Sequence, residues 1–82
     1  MTRKAYVLVE TEIGKVEAVA NALRGKAGVV AADVVTGPHD IIVTIQGADA
    51  DALAKLVIDG IQTTKGVNHT TTYIVIGDSG NK

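Results

Sequence analysis

The sequence predicts a small α+β domain with the element order βαββαβ, and three observations carry that prediction. Two stretches space their apolar residues as helices do, at i, i+3 and i+4. Four others are runs rich in β-branched residues and of strand length. Between the second and third of those runs lies Gly37-Pro38-His39-Asp40, a turn signal near the middle of the chain. Strand then helix precede that turn, and helix then strand follow it. The right-handed crossover rule puts both helices on one face of one sheet.

Each element has its own justification. Ala5 to Val9 is a strand with Ala5, Val7 and Val9 on one side and Tyr6 and Leu8 on the other, apolar on both. Lys15 to Arg24 is a helix whose stripe is Ile13, Val16, Val19, Ala20 and Leu23, with Gly25 and Gly28 ending it. Val29 to Thr36 is the second strand. Strict alternation puts Val30, Ala32, Val34 and Thr36 on one face, and Val29, Ala31, Asp33 and Val35 on the other. Asp40 to Gln46 is the third strand, with Ile41, Val43 and Ile45 sharing a face. Asp49 is a good N-cap for a second helix reaching Ile61, and Asp51 suits its dipole. Its buried stripe is Leu53, Leu56, Val57 and Ile61. Gly60 within it costs about 1 kcal/mol against alanine, which suggests a close backbone approach there or simply drift. Val67 to Ile76 is the last strand and carries Thr70-Thr71-Thr72. The domain spans residues 1–77, and residues 78–82 are expected to be a disordered tail.

Composition narrows the function classes. A chain of 82 residues makes one domain with a marginal core, and self-association is a common remedy. There is no cysteine, hence no disulfide and no thiolate metal site. The net charge is −1 with scattered Lys and Arg, and Tyr6 and Tyr73 are the only aromatics, so no nucleic-acid footprint is visible. No leader and no long apolar run appear, so neither secretion nor a membrane is expected, and the chain reads as cytoplasmic. His39 and His69 have no metal-ligand spacing, so no metal is expected. The one serine, Ser79, lies in the tail, which leaves no serine nucleophile for a triad and no catalytic residue to name.

Strands that are apolar on both faces, with both helices on one, leave a face without a cover. A second copy packed sheet to sheet is the simplest cover; the competing explanation is a further segment of a fused or longer chain.

Three features of the chain resemble the effector-binding (RAM) domain of the Lrp/AsnC, or feast/famine, transcription regulators. They are Gly37-Pro38-His39-Asp40 running into Ile41-Ile42-Val43, then the helix from Asp49 to Ile61, then Gly66-Val67-x-x-Thr70-x-Thr72. The resemblance runs from Ala5 to Ile76. It implies a ferredoxin-like fold with a four-stranded antiparallel sheet, paired as a dimeric α/β-barrel. It also implies further assembly into octamers or decamers, and clefts between dimers that take small effectors, usually amino acids. By the same resemblance, Gly37, His39, Asp40, Thr70 and Thr72 bind the ligand, and no cofactor is needed. Family regulators carry an N-terminal helix-turn-helix, which is not seen here. The expectation is therefore a stand-alone effector domain that does not touch DNA itself and can mix with full-length Lrp/AsnC regulators.

Residue chemistry agrees with an amino-acid site. Asp40 can meet an ammonium group, while amides near Gly37 and His39, or the hydroxyls of Thr70 and Thr72, can meet a carboxylate. Two other readings stand beside this one. An ACT-like amino-acid-binding domain shares the element order and would use Gly14 in the first strand-to-helix loop. A small enzyme of the dimeric α/β-barrel class would need acid, base or cofactor groups that this aromatic-poor chain offers sparsely.

Overall fold

The computed structural model describes residues 2–77. Its elements are β1 (Arg3–Thr11), α1 (Val16–Arg24), β2 (Val29–Val34), β3 (Ile41–Gly47), α2 (Ala50–Lys55) continued by a π-helical stretch (Leu56–Ile61), and β4 (Val67–Ile74). The four strands form one antiparallel sheet in the order β2-β3-β1-β4, which is the ferredoxin-like arrangement. The expected tail, residues 78–82, lies outside the described residues.

The sheet owes its order to residue alternation. Ala5, Val7 and Val9 of β1 stand opposite Ile45, Val43 and Ile41 of β3, and all six are fully buried under the helices. From α1, Val19, Ala20 and Leu23 close over them; from the second helix, Leu53, Val57 and Ile61 do the same. Burying each such side chain stabilises the fold by roughly 1.5–3 kcal/mol. The intervening residues, Tyr6 and Leu8 on β1, Ile42 and Thr44 on β3, Thr71 and Tyr73 on β4, point to the other face, which no element among the described residues covers.

Four details differ from strict pattern reading. In β2, Val29 pairs with Ile45 but Ala31 pairs with Thr44, so Val30 is an extra residue. This bulge turns Val29 onto the helix face beside Ala32, against strict alternation, and leaves Val30 exposed. Ile13 is not on the buried stripe. It precedes Gly14, whose φ of 81° turns the chain ahead of the helix, and it is fully exposed. Strands β2 and β4 stop two residues short of the expected ends. β2 gives way to the turn closed by Val35 N–H to the Asp40 carbonyl (3.0 Å), and β4 ends just before a last rung from the Val75 amide to the Lys4 carbonyl at 2.9 Å.

The fourth detail is the second helix. Asp49 caps it as expected, accepting from the Ala52 amide at 2.8 Å. Past Lys55, however, the helix widens to π geometry. Its buried residues Leu53, Val57 and Ile61 recur every fourth position. Four residues of α-helix overshoot a full turn by about 40°, and the wider π turn takes that drift back. Gly60 sits in this stretch, where an added Cβ would come within 3.1 Å of Leu56 Cδ1. Its neighbours are side chains, Leu56 of the same helix and Lys26, so the close backbone approach expected at Gly60 is not seen.

Candidate functional site

Antiparallel winding gathers three connections at one end of the sheet: β1 to α1, the β2–β3 turn, and the loop into β4. The β2–β3 turn is fixed by Asp40. Its amide donates to the Val9 carbonyl at 2.9 Å, and its Oδ2 accepts from the Thr11 amide at 2.9 Å and from Thr11 Oγ1 at 3.3 Å. The carboxylate thus adds a side-chain rung where the β1–β3 ladder ends. Among the described residues, both bonds go to Oδ2, which leaves Oδ1 for a further donor. Next to it, His39 Nε2 lies 3.7 Å from Glu10 Oε2, an ionic contact for the protonated ring. Gly37 and Pro38 form the exposed tip.

Val9 joins this turn to β4. On one side its carbonyl holds Asp40; on the other it pairs with Thr70. Asp40 and Thr70 are therefore two strand spacings apart, about 10 Å. The structure brings four of the five sequence-predicted residues, Gly37, His39, Asp40 and Thr70, to this end. Thr72 stands one rung pair further along, opposite Val7, on the helix side with Thr70.

Around Thr70 is an open cleft of about 270 Å³, lined by Gln62, Val67, Asn68, His69 and Thr70. Two irregularities shape it. The π stretch ends with the Gln62 amide donating to the Val57 carbonyl at 2.8 Å, and sets Gln62 Nε2 3.0 Å from Thr70 Oγ1. In β4, Glu10 pairs with His69 but Thr11 pairs with Val67, so Asn68 is an unpaired bulge residue. That bulge lets Val67 turn back to the core while His69 stays on the uncovered face.

Gln62 and Asn68 were not apparent from sequence. A helical wheel with a fixed α period misplaces residue 62 after a π turn. Asn68 did have a signal: Val67 must be buried and Thr70 shares its face, yet they are three residues apart. An odd spacing on one face of a strand requires an inserted residue.

Gly66, at the loop into β4, has φ 99°, and its carbonyl accepts from the Glu12 amide at 2.8 Å. An added Cβ would stand 2.8 Å from Val19 Cγ2, so glycine is the residue this corner admits. Gly14, which an ACT-like site would use, has φ 81° but open space around it. Among the described residues, no group of three or more acidic or histidine side chains is placed to hold a metal, and no helix is long and apolar enough to cross a membrane.

The chain belongs to the Lrp/AsnC ligand-binding domain family, whose family model matches residues 4–79. Among solved structures it is similar to TTHA0845 from Thermus thermophilus, with TM-score 0.88 and 28% identity over 93% of this chain and 95% of that one. It shares its fold with E. coli AsnC, with TM-score 0.87 and 22% identity over 94% of this chain and 52% of that one, so it spans about half of AsnC. A transcriptional regulator from Neisseria meningitidis solved as its L-Met complex gives TM-score 0.83 and 19% identity, over 94% of this chain and 51% of that one. No curated protein matches the chain.

Proposed function

We propose that this domain binds a small effector, an amino acid or close analogue, and couples that binding to assembly with further copies. The observation that carries the reading is the convergence at Val9. The Gly37–Asp40 turn and the cleft at the start of β4, distant in sequence, flank the same residue of β1. Family membership supplies the ligand-binding role, and the L-Met complex of the Neisseria regulator supports an amino acid as the ligand class.

In this reading Gly37, His39, Asp40, Thr70 and Thr72 contact the effector. Asp40 Oδ1 meets the ammonium group, and the threonine hydroxyls meet the carboxylate. The uncovered sheet face, with Tyr6 38% and Tyr73 58% exposed, takes a second copy to form a dimeric α/β-barrel, and dimers associate further. Residues 2–77 hold the ligand-binding fold alone, so contact with DNA falls to another segment or to a partner regulator.

The test is a thermal melt of the purified protein against each of the twenty amino acids at millimolar concentration. Ligand at 100 times its Kd stabilises the bound form by about 2.7 kcal/mol. In a domain of this size each kcal/mol moves Tm by roughly 4–8 °C. A shift confined to a few amino acids, lost in Asp40→Ala and kept in Gly14→Ala, supports the reading. A flat response to all twenty removes it.

A further inference from the structure

We propose that Arg24 closes the β2 edge of the sheet to strand addition by another copy of this chain. The proposal is independent of the effector reading and concerns the edge opposite β4.

The β2 edge is one that needs closing. Residues 29–36 read Val-Val-Ala-Ala-Asp-Val-Val-Thr, rich in β-branched residues, with Asp33 as the one charge and no proline. Such a segment pairs readily with copies of itself when its edge is open. Val30 and Val34 are both exposed there.

Backbone direction shows where a newcomer would bond. The Val35 amide bonds inward, to the Asp40 carbonyl. Backbone groups alternate in direction along a strand, so Ala32 and Val34 direct theirs outward. On the N-terminal side of Ala32, the bulge at Val30 breaks the ladder spacing. Two regular rungs remain for an added strand, at Ala32 and at Val34.

Arg24, the last residue of α1, occupies the first of them. Its Nε and Nη2 donate to the Ala32 carbonyl at 3.1 and 2.8 Å. A carbonyl oxygen has two lone pairs. This one already receives two donors, so the amide of an added strand finds no acceptor at Ala32. Arg24 Nη1 donates to Asn21 Oδ1 at 3.0 Å, one turn back on α1, and that bond holds the guanidinium plane in place. A cation at a helix C-terminus interacts with the dipole wherever its side chain points. The fork on β2 is a further arrangement, and it uses the planar pair of donors that distinguishes arginine from lysine.

The experiment reads hydrogen exchange at the Ala32 and Val34 amides, at low and high protein concentration, beside sedimentation velocity on the whole chain. In the parent both amides should exchange as open groups at either concentration, because association through the uncovered face leaves this edge free. Arg24→Ala should raise self-association at the edge by about tenfold or more, the value of one charge-assisted hydrogen bond. The two amides should then become protected as concentration rises. Adding Val34→Lys puts a charge on the edge at a half-exposed position outside the core, and it should return Arg24→Ala to parent behaviour. Arg24→Lys keeps the charge at the helix end but lacks the fork. It should show the same protection in weaker form, and it carries the test if Arg24→Ala does not fold. Concentration-dependent protection of Ala32 in the parent overturns the proposal, since a strand would already be pairing there. An Arg24→Ala chain that behaves as the parent also overturns it. Association of Arg24→Ala that survives Val34→Lys, with both amides still open, does so too, because it traces to loosened packing and not to an opened edge.

Discussion

The two faces of the sheet come from the same strands and nearly the same residue types, yet they behave as different materials. On the helix side, Ala5, Val7, Val9, Ile41, Val43 and Ile45 are wholly buried. One residue away on each strand, Tyr6, Leu8, Ile42 and Thr44 remain wet to varying degrees. The first face is covered by the helices; the second has no cover among the described residues. Hydrophobic composition alone therefore does not define a core. What defines it is whether the chain returns to cover the face, and here both returns go to the same side.

Substitutions can break or sharpen that contrast. The largest effect is expected on the covered face. Ile45→Ala should cost about 2–5 kcal/mol through the cavity it leaves, seen as a lower urea midpoint at a fixed low protein concentration. Gly66→Ala extends the covered face's tightness to a loop. The positive φ and the contact with Val19 should together cost about 1–3 kcal/mol. Gly14→Ala, with open space around it, should cost less in the same measurement. Third comes Asp40→Ala at the end of the seam between β1 and β3. Losing the bonds to Thr11 should destabilise by about 1–3 kcal/mol. Hydrogen exchange at the Thr11 amide should rise with it. The smallest effect on the single chain belongs to Tyr73→Ala on the uncovered face, within about 0.5 kcal/mol at high dilution. If the proposed pairing of uncovered faces holds, sedimentation velocity should show the same variant as a monomer at concentrations where the parent is a dimer. A cost matching that of Ile45→Ala at high dilution would erase the contrast and show that the tyrosine is part of the chain's own core.

Much of this was legible in the sequence, wherever one period holds along an element. β1 and β3 alternate without interruption, so their faces follow by counting. The Asp49 cap needs only its own side chain and the next turn. The Gly-Pro-His-Asp turn is local chemistry. Legibility failed where a residue was inserted. Val30 shifts the phase of β2, and Asn68 shifts that of β4; the π turn shifts the second helix before Gln62. Ile13 failed for another reason: an apolar residue at helical spacing was assigned to a helix that had not yet begun. The candidate site follows the same division. Asp40 and Thr70 stood out through turn and strand signals. Their adjacency to Val9, and the presence of Gln62 and Asn68, depend on pairings far apart in sequence.

The bulge in β2 has one more consequence, best put in the language of polymer chemistry. A sheet with two clean edges is a bifunctional monomer: each copy can hydrogen-bond a neighbour on either side, and the chain of copies need not end. Val30 interrupts the ladder spacing of the β2 edge, whereas β4 keeps a regular register from His69 to Ile74. Bulged edges resist strand addition. With β2 bulged at Val30 and β4 bulged at its start, at Asn68, the sheet is a poor bifunctional monomer, and open-ended lateral growth into a fibre is disfavoured.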